Sequence, residues 1–100
     1  MTIALRGKHR RYLRGLGVHL DPAVFLGKNA LTDSVVAEVR TALAANELIK
    51  VRLLDSVDGD RKEVARQLAE RVGAELVQVL GRTVLLYVPN DETPSIELPD

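Results

Sequence analysis

A chain of 100 residues with 46% apolar and 28% charged side chains has room for one folded domain around one core. It has no cysteine, which excludes a disulfide framework, a thiolate zinc site and a redox pair, and its only aromatics are Tyr12, Phe25 and Tyr87, too few for a row of stacking platforms. Fourteen basic and fourteen acidic groups exclude a polybasic or polyacidic protein, yet residues 1–30 carry net +5, 31–54 zero, 55–82 −1 and 83–100 −4. A basic head followed by an acidic tail points to a polyanionic partner at one end. No apolar run approaches the ~20 residues that span a bilayer. Charges at Arg6 and Lys8 stand where a signal peptide would be apolar, so the expected setting is reducing and cytoplasmic, without a membrane.

Residues 4–16, wound at about 100° per residue, put Leu5, His9, Tyr12, Leu13 and Leu16 on one arc. Arg6, Lys8, Arg10, Arg11 and Arg14 occupy the rest, so a first helix with a basic outer face is expected. Gly15 and Gly17 are its stop and Asp21-Pro22 a turn. Residues 23–26 read as a short strand and 27–30 as a loop. Thr32 is placed to cap a second helix, with Asp33 in its first turn and Val35, Val36, Val39, Ala42 and Leu43 on its inner face; Asn46 ends it. Residues 48–54 alternate as a strand, with Ile49, Val51 and Leu53 on one face and Lys50 and Arg52 on the other. A turn over 56–60 leads to a third helix, where Asp60 and Glu63 suggest a capping box. Its inner face is Val64, Ala65, Leu68, Ala69 and Val72, and Gly73 stands at its C-terminus. Strands 76–80 and 83–88 are joined by Gly81-Arg82, a type II′ hairpin signature. Three prolines and four acids make 89–100 a loose acidic tail. The order α-β-α-β-α-β-β predicts a single α/β domain with a mixed sheet, in two or three layers. Val39, Leu43, Leu68, Val79 and Leu86 are its expected common core.

Catalytic and metal chemistry find little support. No nucleophile elbow surrounds Ser34, Ser56 or Ser95, and His9 and His19 do not share a ligand spacing with each other or with carboxylates. His9 falls in the apolar arc and is expected to be a packed residue. The acids Asp55, Asp58, Asp60 and Glu63 lack the ligand pattern of a calcium loop. No cofactor, metal, small-molecule substrate or enzymatic activity is expected. Gly27-Lys28-Asn29-Ala30 is the informative segment, since a strand ends there, a glycine removes the Cβ, a lysine follows and a capped helix begins. Free N–H groups at such a helix start attract phosphate, and lysine adds a point charge.

The blocks at residues 12–17, 24–32, 47–51 and 79–87 together resemble the CRM domain in its stand-alone bacterial form, the YhbY-like family of RNA-binding proteins. The resemblance covers residues 3–98. It implies a fold similar to the C-terminal domain of translation initiation factor three, with a mixed four-stranded sheet and three helices. It also implies a function in binding structured RNA, associated with precursors of the large ribosomal subunit. The family's Gly-x-x-Gly loop maps onto Gly27, Lys28, Asn29 and Ala30, and this chain departs from it at Ala30. If that position needs positive φ, alanine costs on the order of 1 kcal/mol there. The expected RNA face therefore comprises Gly27, Lys28, Asn29, Ala30 and Thr32, the first-helix cations Arg6, Lys8, Arg10, Arg11 and Arg14, and Arg82 in the hairpin turn. The direction of Lys50 and Arg52 stays open. A monomer that aids ribosome assembly is the leading reading. A protein–protein module docking on a ribosomal or assembly protein is the alternative, favoured if Asp33, Glu38 or the acidic tail interrupts the basic surface.

Overall fold

In the computed structural model, which describes residues 5–28, 31–90, 92 and 94–99, the elements follow the expected order: α1 (Gly7–Gly17), β1 (Pro22–Leu26), α2 (Asp33–Ala45), β2 (Leu48–Leu53), α3 (Arg61–Val72), β3 (Glu75–Leu80) and β4 (Thr83–Tyr87). Local chemistry sets most boundaries. Thr32 Oγ1 accepts the Val35 N–H at 3.2 Å and so caps α2, which ends at Asn46. Gly73 closes α3 in the left-handed region, with φ +74°. Gly81 has φ +59° and no described non-glycine residue has positive φ, the sign pattern of a type II′ turn. The expected capping box of α3 is not formed. Asp60 makes no side-chain cap, and the Glu63 carboxylate, which would complete the box, is instead taken by Arg66 and Gln67.

The four strands form one mixed sheet in the order β1-β2-β4-β3. β1 and β2 are parallel, joined through α2, and β4 lies antiparallel between β2 and β3. The main core lies between the sheet and α2 and α3. Val36, Val39 and Leu43 of α2 and Val64, Ala65, Leu68, Ala69 and Val72 of α3 meet Val24, Leu26, Ile49, Val51, Leu53, Val84 and Leu86. All five expected core positions belong here, with Val79 partly buried at its edge.

α1 lies alone on the opposite face, which makes three layers. Leu13 is fully buried with Leu48, Val77, Leu85 and Tyr87, while Leu5 and Leu16 flank it. Gly17, where α1 ends as expected, also belongs to this contact. α1 runs through Gly15 to Gly17, and a Cβ on Gly17 would lie 2.8 Å from Leu85 Cδ2. Tyr12 falls outside the seam and is 42% exposed.

The tail from residue 89 is expected to be loose, but its described residues are tied down. Ile96 and Leu98 pack under α1 in the second core. The Glu47 carboxylate, itself buried, accepts backbone N–H groups from Ser95 at 2.7 Å, from Ile96 at 2.8 Å and from Asn90. His9 Nδ1 accepts the Arg6 N–H at 3.1 Å, which leaves Nε2–H to donate to the Pro99 carbonyl at 2.9 Å. His9 is therefore a half-buried bridge between α1 and the tail. Three charge-assisted bonds explain why an acidic side chain is tolerated inside.

Candidate nucleic-acid interface

The parallel pair β1–β2 ends at one edge of the molecule, and the hairpin turn of β3–β4 lies there too. Leu54 N–H donates to Leu26 O at 2.8 Å and Leu53 N–H to Arg82 O at 2.7 Å, which binds the three loops into one cluster. The β1–α2 loop begins here with Gly27 and an exposed Lys28. Asn29 and Ala30 lie outside the described residues. After them Leu31 and Thr32 lead into α2, and Arg71 anchors this end from α3. Its guanidinium donates to Leu31 O and pairs with Asp33 at 2.7 Å. Asp33 itself stays exposed at the start of α2.

Gly27 is not required by its own backbone or by crowding within the chain. It does not have positive φ, and a Cβ there would meet Ser56 Oγ at 3.4 Å, an ordinary contact. What glycine leaves is open space on the loop for something approaching from outside. Lys28 also borders a cleft of about 460 Å³ whose other wall is acidic, with Asp58, Asp60 and Glu63. The Arg66 and Gln67 hydrogen bonds hold the Glu63 carboxyl below its usual range, so it stays ionised. This loop therefore has carboxylates on the side toward α3, and a polyanion would meet less repulsion on its other side.

That other side is the α1 face of the sheet. Of the five expected α1 cations, Arg6, Arg11 and Arg14 are exposed and Lys8 is half-buried. Arg10 is the exception to the expected solvated face. Its Nη1 donates to Leu76 O, beside the irregularity in the β3–β4 register, and so pins α1 to the sheet edge. Arg82, expected on the RNA face, is paired with Asp55. Lys50 and Arg52 take a definite direction in the fold. They alternate with the core residues Ile49, Val51 and Leu53 and therefore project onto the α1 face. Arg14 and Lys50 line one shallow cleft at the end of α1. Among the described residues, Arg14, Lys50 and Arg52 have no carboxylate partner.

No group of three His, Asp or Glu side chains among the described residues could hold a metal ion. No described helix is long and apolar enough to cross a membrane. The arrangement offers a cationic surface and a glycine-opened loop, a geometry suited to a sugar–phosphate backbone.

The chain is similar to several known proteins. The family model of the CRS1 / YhbY (CRM) domain matches residues 5–87. "Probable RNA-binding protein YqeI" of Bacillus subtilis is 39% identical over 95 residues, which is 95% of this chain and 99% of that one. A Haemophilus influenzae protein named "RNA-binding protein" is 37% identical over 95% of each chain. The solution structure of the Staphylococcus aureus protein SAV1595 superposes with a TM-score of 0.81 at 38% identity, covering 96% of this chain and 100% of that one.

Proposed function

Because this chain belongs to the CRS1 / YhbY (CRM) domain family, we propose that it is a non-catalytic RNA-binding protein whose targets are ribosomal RNA and precursors of the large subunit, and that it aids their assembly. The observation that carries this reading is the group of cations without carboxylate partners, Arg14, Lys50 and Arg52, on the α1 face of the sheet, with the exposed Lys28 in the loop that follows β1. Asp33, at the start of α2, is paired with Arg71. Phosphate contacts of this kind fix position without reading bases, so recognition follows RNA shape more than sequence.

The test is a filter-binding titration with precursor ribosomal RNA across a salt series. Neutralising four to six phosphates gives a slope of roughly −3 to −5 in log affinity against log salt. Lys28→Ala weakens binding by roughly 1 kcal/mol, whatever the RNA sequence. Gly27→Asp weakens it more, since it sets a carboxylate where the phosphate must approach. The acidic wall of the Lys28 cleft favours a second reading, the docking of a basic segment of an assembly protein. A flat salt dependence, with both variants unchanged, would sink the RNA reading and leave that one.

A further inference from the structure

α1 covers only half of its face of the sheet. Leu13 sits over Leu48, Val77, Leu85 and Tyr87, at the end where β2 begins and β4 finishes. The other end of the same face is bare. There the cross-strand register sets Phe25 beside Arg52, Arg52 beside Thr83 and Thr83 beside Leu80, one row running from edge to edge. Phe25 is 55% exposed and Leu80 66% exposed, although each alternates with inward-facing residues of its own strand. Lys50, which pairs with Leu85, and Arg14 at the end of α1 border the row on the covered side.

An uncovered phenylalanine in a row with an arginine, bordered by two further cations, is a specific combination. The apolar pair alone would suit a protein. The cations favour a polyanion that also carries flat apolar faces, which is the chemistry of RNA with unstacked bases. The position agrees. Phe25 precedes Gly27 by two residues of strand, about 7 Å. A backbone whose phosphate rests at Gly27–Lys28 is turned away from the α3 side by Asp58, Asp60 and Glu63. Its next nucleotide then meets Phe25, with Arg52 beside it.

We propose that this bare end of the sheet is a seat for an unpaired nucleotide of the bound RNA. Its base stacks on Phe25, and Arg52 and Arg14 hold the phosphates on either side. The inference rests on the RNA-binding reading and sharpens it. The preferred ligand is RNA in which a duplex gives way to a single strand. The loop takes backbone at the junction, and the sheet takes the first free base.

The experiment uses the full chain with two probes, a blunt-ended RNA duplex and the same duplex carrying an unpaired adenosine overhang with 2-aminopurine at its first position. Because Phe25 is exposed, Phe25→Leu keeps the melting temperature. It lowers affinity for the overhang duplex about tenfold, the loss of one stacked base. It leaves blunt-duplex binding unchanged and abolishes the 2-aminopurine quenching seen with the parent. Phe25→Tyr, which keeps the ring, retains both affinity and quenching. Arg52→Gln weakens overhang binding and shallows its salt slope. If Gly27→Asp weakens RNA binding while Phe25→Leu binds both probes as the parent does, the nucleotide seat is refuted and the RNA-binding reading stands. If the parent binds neither probe, both fall.

Discussion

Gly17 and Gly15 stand two residues apart in α1, and opposite consequences follow from replacing each with alanine. Helix propensity alone makes both replacements stabilising by about 0.5–1 kcal/mol, since glycine leaves the unfolded chain freer. At Gly15 nothing lies within 4 Å of the added Cβ, so that gain is expected in full. At Gly17 the Cβ would lie 2.8 Å from Leu85 Cδ2 and 2.9 Å from Leu85 Cδ1. Leu85 is 3% exposed and packed in the second core, so it has little room to turn away. Overpacking of this kind costs about 1–3 kcal/mol, which outweighs the propensity gain. Gly17→Ala is therefore expected to be less stable than the parent by about 0.5–2 kcal/mol, and Gly15→Ala more stable than it. Urea unfolding measures both, through midpoints at constant m-value. A double-mutant cycle then tests the cause. Leu85→Ala alone costs about 2–5 kcal/mol, and the Gly17→Ala methyl should refill part of that space. The double variant is thus more stable than the two single effects added together. Equal stabilisation by both glycine replacements would refute the reasoning, because Gly17 would then have no part in seating α1 on the sheet.

Three further outcomes follow from the buried contacts. Glu47→Gln turns an amide NH₂ toward backbone donors that now meet a carboxylate, costs about 1.5–3 kcal/mol, and should expose the amides of Ser95 and Ile96 to hydrogen exchange before those of the sheet; tail amides that stay protected would contradict the latch. Burial, with the Glu47 charge adding to it, raises the Tyr87 hydroxyl pKa above 10.0. The folded state then holds this proton more tightly than the unfolded state. Its contribution is complete below pH ~10 and is lost as pH climbs from there through the folded pKa, so urea midpoints of Tyr87→Phe should decline less over that alkaline range than those of the parent. Arg10→Ala removes a donor from Leu76 O and should cost about 1 kcal/mol in thermal unfolding, where a freely solvated arginine would cost a few tenths.

The element order, the Thr32 cap, the Gly73 terminus, the Gly81 turn and the inner faces of α2 and α3 were all legible in the sequence. Each rests on chemistry within a few residues: a hydroxyl reaching the third amide ahead, a glycine in a left-handed turn, apolar side chains at helical spacing. What the tertiary structure decided depends on residues distant in the chain. Gly17 was legible as the end of α1, but its contact with Leu85, far along the sequence, was not. Tail composition read as loose because the carboxylate that holds its described residues belongs to Glu47, more than forty positions earlier in the chain. The site divides in the same way. Gly27, Lys28 and the cationic helix could be picked out locally. The pairing of Arg82 with Asp55, the use of Arg10 as a tether and the acidic wall beside Lys28 could not. Alternation along β2 put Lys50 and Arg52 together on one face from the start. Only the placement of α1 over half of that face showed which side it was and that Phe25 stands uncovered next to Arg52. The period of a strand pairs its residues by face, but which face is covered depends on where the other layers pack.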